Sequence, residues 1–165
     1  MSKTPTAWPE YERVVGHDPL VVYKRVRWAD CDPAGVVFTG KFSEYLLVAV
    51  GYVFSELAQG DYMQWTKTLG VDTPCKGMEL AFHRALWPED EFLMTCQIGA
   101  IRAHSYDILV EAAAPDGTPI FSGRFSPICI RRDARRRTDI PAPLRSALER
   151  MQMAPSSAHH GRSTE

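Results

Sequence analysis

Two carboxylates, Asp30 and Asp32, lie two positions apart just ahead of a turn that carries Pro33, Gly35 and Gly40, and a long apolar segment opens at Phe42. Proline donates no backbone hydrogen bond and glycine takes backbone angles closed to other residues, so Trp28 to Phe42 reads as a tight connection. A helix beginning there has free N–H groups at its start and a dipole that favours negative charge nearby. A carboxylate in this turn can stay ionised while neighbouring amides stabilise an oxyanion, which is a layout for attack on a carbonyl.

The elements that must position the turn are readable on both sides. Leu20 to Trp28 is dense in β-branched and aromatic residues and alternates at its end, the pattern of a strand with one buried face. From Phe42 the apolar residues Phe42, Leu46, Ala49, Val50, Val53 and Leu57 recur with helical period, and Val48, Tyr52 and Phe54 fill much of the remaining circumference. The spacing predicts a helix from about Ser43 to Ala58, covered on most sides and stopped near Gly60. Asp61 to Leu69 is either a short helix capping a pocket or plain packing. Strands are expected over Met78–Trp87, Phe92–Arg102, Tyr106–Ala114 and Ile120–Ile130, with a turn at Pro88-Glu89-Asp90 and a hairpin at Asp116-Gly117. The order predicts an α+β domain, an antiparallel sheet of about five strands wrapped around one long helix.

The motif resembles a known signature. Asp30-Cys31-Asp32-Pro33-Ala34-Gly35-Val36-Val37 is similar to the Asp-x-Asp-Pro-Ala-Gly-Ile-Val signature of the 4-hydroxybenzoyl-CoA thioesterase family, which has the hot-dog fold; the resemblance runs over roughly Val21 to Pro141. It implies an acyl-CoA thioesterase in which Asp32 acts as nucleophile or general base and the backbone N–H groups at or near Thr39 and Gly40 polarise the thioester oxygen. Gly35, Val36 and Phe38 are the implied substrate contacts within the motif. Arg102 and His104, at a strand junction that is often basic in relatives, are candidates for contact with the nucleotide end of CoA; the alternative is a solvated turn, with equal weight for His104. After Phe38, where many relatives have an aromatic residue and an Asn, this chain has Thr39-Gly40-Lys41, a departure that bears on acyl specificity. The family also implies a homodimer, or a dimer-of-dimers tetramer, with active sites at the subunit interface.

Composition sets bounds on the alternatives. The chain of 165 residues is one domain in length, 45% hydrophobic and 24% charged with a net charge of −1, so no global basic field recruits nucleic acid or membrane. Met1 to Leu20 holds no continuous apolar segment of signal-peptide length and no stretch approaches a membrane span, so a cytoplasmic location is the expectation. Cys31, Cys75, Cys96 and Cys129 have neither Cys-x-x-Cys pairing nor histidines at ligand spacing, so reduced thiols are expected, with no metal and no disulfide framework. Cys31, between two acids, reads as packing. No cofactor is required for hydrolysis; CoA is part of the substrate.

The remaining readings concern the periphery. Residues 1–19 are taken as a polar arm, 20–151 as the domain and 152–165 as a disordered tail whose His159-His160 is not a metal site. Pro141 to Met151 is a short closing helix. Arg131, Arg132, Arg135, Arg136 and Arg137 form a solvated turn, with a clamp for a CoA phosphate as the second reading and a nucleic-acid patch as the third. Of His83 and Arg84, one should point inward or towards a partner, His83 in a structural role. Trp28, Phe38, Phe42, Tyr45, Trp65 and Phe82 are candidates to line a pocket for an aromatic acyl group, or are core. A short or medium aliphatic acyl group, a carrier-protein thioester and a non-catalytic acyl-thioester binding module are the alternatives. A dehydratase is disfavoured because the long helix carries no histidine.

Overall fold

The computed structural model describes residues 10–153. Trp8 and Pro9 of the expected arm, and the tail with His159-His160, lie outside them. Strands β1 (Glu12–His17) and β2 (Leu20–Arg25) form a hairpin. A single 3₁₀ turn, Trp28–Asp30, and the motif loop lead into helix α1 (Lys41–Ala58), followed by the short helix α2 (Tyr62–Thr68). Then come β3 (Val71–Asp72), β4 (Cys75–Phe82), β5 (Glu91–Ile101), β6 (Tyr106–Ala113), β7 (Pro119–Pro127), β8 (Ile130–Arg131) and helix α3 (Ala142–Gln152).

The main sheet is antiparallel with strand order β1-β2-β5-β6-β7-β4, and β3 pairs with β8 apart from it. Six strands rather than about five result because Glu12–His17, read from sequence as part of the arm, pairs along β2 and is tied to it by Lys24 Nζ on Glu12 Oε2 at 2.6 Å. Gln152, assigned to the tail, ends α3 and donates its amide to Gly99 O at 2.5 Å.

Helix α1 buries Phe42, Tyr45, Leu46, Ala49, Val50, Val53 and Leu57 against the sheet. Apart from Tyr45, these are the positions whose spacing the sequence predicts, and the sheet meets them with alternating residues: Phe92, Met94, Cys96 and Ile98 from β5, then Ile108, Val110 and Ala112 from β6. Leu46 is fully buried over Gly123 of β7, where any β-carbon would lie 2.9 Å from its methyl. The helix is therefore a rigid post whose N-terminal end fixes the motif loop.

Candidate active site

The chain leaves β2 and is pinned at once to the β4–β5 connection. Val26 N–H donates to Asp90 O at 2.9 Å, Glu89 N–H to Val26 O at 3.1 Å and, further along, Val37 N–H to Leu86 O at 2.8 Å. Between these anchors the motif folds on itself. Asp32-Pro33-Ala34-Gly35 is a β-turn closed by Gly35 N–H on Asp32 O at 2.9 Å, and Ala34 N–H donates to Asp32 Oδ1 at 2.8 Å. Pro33 presets the second position of the turn, and Gly35 sits at φ 82°, which glycine adopts without strain. Gly35 is exposed; Val36 is half-buried and its carbonyl accepts Asp32 N–H at 2.9 Å.

The two acids have different surroundings. Asp30 is 12% exposed at its side chain and both its oxygens are engaged: Oδ2 accepts the Tyr45 hydroxyl at 2.8 Å and Arg27 N–H at 3.3 Å, and Oδ1 lies 3.8 Å from Lys41 Nζ. Asp32 uses Oδ1 for its own turn and, among the described residues, Oδ2 has no hydrogen-bond or ion-pair partner. One carboxylate is thus built into the scaffold and the other keeps an oxygen for a ligand. The Cys31 thiol is pushed up from its ordinary value by burial and then by the carboxylates of Asp30, Asp32 and Asp90, so it stays protonated, and Sγ points at Arg27 O, 3.8 Å away. That is a packing residue.

The start of α1 supplies donors. Phe38 N–H donates to Asp30 O at 3.0 Å, Lys41 N–H to Phe38 O at 2.8 Å and Phe42 N–H to Thr39 O at 3.3 Å, whereas the N–H groups of Thr39 and Gly40, both exposed residues, find no acceptor among the described residues. Two unengaged amides at a helix start are suited to a developing negative charge on oxygen. The Phe38 ring lies against them: a β-carbon on Gly40 would come 2.7 Å from Phe38 Cε1.

The six aromatic candidates separate. Phe42 and Tyr45 are core, in edge-on contact with Phe121 and tilted contact with Phe92 respectively. Trp65 is half-buried against Tyr62. Trp28 (72% exposed), Phe38 (57%) and Phe82 remain open to solvent, and Phe82 lies beside the helix start, 5.1 Å from the Phe42 ring. Trp87, expected at the end of a strand, is instead exposed on the connection that anchors Val37.

Arg102 and His104 lie elsewhere in the subunit. The motif is pinned beside the first residue of β5 and Arg102 follows its last, so the eleven-residue strand separates them, a span of about 35 Å. Arg102 makes a two-pronged contact with the buried Asp107, at 3.1 and 2.8 Å, and Asp107 also accepts the Ser126 hydroxyl at 2.7 Å. His104 Nδ1 is 2.9 Å from Asp139 Oδ1 but off the line of a hydrogen bond. Arg131 pairs with Asp133, and Arg132 and Arg135 both with Asp72, at 3.1 and 3.3 Å, the pattern of a solvated turn. His83 and Arg84 are both exposed, so neither points inward; β4 ends at Phe82, and the strict alternation expected of the pair does not apply to the connection that follows. Among the described residues there is no cluster of three metal-ligating side chains, and no helix is long and apolar enough to cross a membrane.

The sequence matches the family described as the thioesterase-like superfamily over residues 26–148. The chain belongs to that superfamily. Thioester hydrolysis is the activity this membership assigns it. The solved structures similar to this thioesterase include a 1,4-dihydroxy-2-naphthoyl-CoA thioesterase from Synechocystis, 19% identical with a TM-score of 0.70 over 78% of this chain and 93% of that one. A gentisyl-coenzyme A thioesterase is 20% identical with a TM-score of 0.66, over 78% of this chain and 98% of that one. A mutant of 4-hydroxybenzoyl-CoA thioesterase complexed with 4-hydroxybenzoyl-CoA is 19% identical with a TM-score of 0.67, over 78% and 96%. At such identities the likeness is one of fold, and that fold is the hot-dog. No curated protein matches the chain in sequence.

Two residues beside the motif loop were not singled out from sequence for what they do. Tyr45, a candidate from sequence to line an aromatic pocket or to be core, is core with its hydroxyl on Asp30; a buried tyrosine hydroxyl needs a partner, and that need was the available signal. Trp87 carried no signal of its own, since an aromatic residue ending an alternating run reads as strand.

Proposed function

We propose that the chain hydrolyses acyl-CoA thioesters with aromatic acyl groups. Asp32 is the reacting carboxylate, as nucleophile or as general base towards water, and the Thr39 and Gly40 amides receive the developing oxyanion. The observation that carries this reading is the pairing, in one short loop, of a carboxylate with an unengaged oxygen and two unengaged N–H groups at the start of α1. A carboxylate is a weak base and a weak nucleophile at neutral pH, so most of the rate must come from positioning and from the oxyanion donors. The aromatic preference is supported by Trp28, Phe38, Phe82 and Trp87, exposed around the loop, and by the aromatic acyl-CoA substrates named for the three similar structures.

A single subunit leaves the loop on an open surface. Strand β4 is a sheet edge with Met78 and Phe82 exposed, and Phe82 adjoins the helix start. Pairing of two copies along β4 would supply the missing wall of a pocket, which makes a homodimer the working unit of the proposal.

The test is hydrolysis of 4-hydroxybenzoyl-CoA, benzoyl-CoA, butyryl-CoA and octanoyl-CoA by the parent and by Asp32→Asn, read as thiol release. Cleavage of the aromatic substrates by the parent and its loss in the variant is the expected result. Preference for butyryl-CoA or octanoyl-CoA overturns the acyl assignment, and activity retained by Asp32→Asn overturns the mechanism.

A further inference from the structure

Asp30 joins three parts of the chain that the reaction needs in register. Its carboxylate holds Arg27 N–H on the approach and the Tyr45 hydroxyl on α1, and its carbonyl holds Phe38 N–H, the residue immediately before the two unengaged amides. Tyr45 is a fixed anchor. Its ring is buried between Phe42, with centroids 6.0 Å apart, and Phe92, at 5.5 Å, and Lys24 Nζ lies 5.5 Å above it. Burial and the neighbouring Asp30 raise the hydroxyl far above its ordinary pKa, so it remains a donor at any working pH. A rigid ring bearing a permanent donor is a suitable stop for a loop whose own residues are largely exposed.

Resting on the thioesterase reading above, we infer that the Tyr45–Asp30 hydrogen bond is a clasp that sets the position of the Thr39 and Gly40 amides relative to Asp32, and that Asp30 and Tyr45 are positioning residues for catalysis. Asp30 is set apart from the chemistry by its engagement, with Oδ2 accepting two hydrogen bonds and Oδ1 facing Lys41 Nζ at 3.8 Å. Loss of the clasp leaves the substrate's binding surfaces in place and loosens the donors that act in the transition state, so the deficit falls on kcat.

The experiment uses the full chain and the acyl-CoA it cleaves fastest. Tyr45→Phe keeps the ring and removes only the hydroxyl; the expected result is a fall in kcat of ten- to hundredfold with KM within about twofold, in line with the cost of misplacing catalytic groups by about 1 Å. Asp30→Asn retains an oxygen that accepts from Tyr45 and keeps most of the activity, whereas Asp30→Ala matches Tyr45→Phe, and the double variant Tyr45→Phe with Asp30→Ala is no slower than the slower single. Amide hydrogen exchange at Phe38 gives a readout independent of turnover, and it is expected to quicken in Tyr45→Phe. An unchanged kcat and unchanged Phe38 exchange in Tyr45→Phe overturn the clasp alone. Asp30→Asn as inactive as Asp32→Asn overturns it by making Asp30 a reacting group. A parent that cleaves no thioester overturns the reading on which it rests, and the clasp as a catalytic device with it.

Discussion

On the proposed mechanism Asp32 carries two duties through two oxygens, and a single substitution separates them. Asparagine keeps an oxygen able to accept Ala34 N–H, so the Asp32→Asn variant should retain the β-turn and lose less than about 0.5 kcal/mol of stability, as ordinary surface changes do. It removes the charge that, on that mechanism, attacks or deprotonates, and the expected loss in kcat is a factor of about a hundred or more. Thermal unfolding beside thiol release checks both. Gly40 gives the complementary case. Its backbone is already helical, with φ −62° and ψ −24°, so alanine is conformationally welcome there and stability should hold or rise. The new methyl meets the Phe38 ring at 2.7 Å and must turn it aside. Gly40→Ala should therefore change the ratio of kcat/KM between benzoyl-CoA and butyryl-CoA by several-fold without lowering the melting temperature; an unaltered ratio would detach Phe38 from acyl recognition.

Helix α1 and strands β2 and β5 to β7 were legible because each repeats its own period over enough residues for one face to be unmistakable. Leu46 shows how much rests on that face. It is fully buried where α1 approaches Gly123, and Leu46→Ala should cost about 2 to 5 kcal/mol, measured by denaturant unfolding, because the helix cannot settle onto the sheet to fill the gap. Strand β1 was not legible: Glu12–His17 is a half-exposed edge strand, and its identity lies in pairing to β2 and in the Lys24–Glu12 contact rather than in its own residues. The motif was legible as chemistry, with the different fates of Asp30 and Asp32 hidden, since the Asp30–Tyr45 bond closes across fifteen residues of turn and helix. Arg102 was legible as a cation, and its commitment to Asp107 at the start of β6 was not. That commitment has a pH signature. Chiefly the Arg102 guanidinium, and then the Ser126 hydroxyl, hold Asp107 below the usual carboxylate range, against the opposing effect of burial. A carboxyl with a depressed folded-state pKa contributes stability above its unfolded value, about 3.9, and loses it as pH falls through the lower folded value. Melting temperature should drop as pH is lowered below about 4, and Asp107→Asn should be less stable near neutrality and lack that part of the acid dependence.

At the scale of the molecule the sheet has two edges with different endings. Strand β1 is an edge of alternating half-exposed residues, trimmed by charged Glu12 and Arg13. Strand β4 is an eight-residue edge almost wholly exposed, and Met78, Leu80 and Phe82 fall on the face that carries α1, where Leu80 and Leu46 both approach the β-carbon position of Gly123. A long edge with an apolar row is ordinarily covered, because its open backbone groups template pairing with another chain. The row also ends at Phe82, beside the helix start where the unengaged amides lie, so a partner covering β4 would also close the proposed site. Met78→Glu places a charge in the middle of the row at a position exposed in the single subunit, where it costs the isolated fold little. If two copies pair along β4, this variant should sediment as a monomer at concentrations where the parent is a dimer, keep its circular dichroism and lose hydrolysis. A variant that stays dimeric and active would move the interface, and the second wall of the pocket, away from β4.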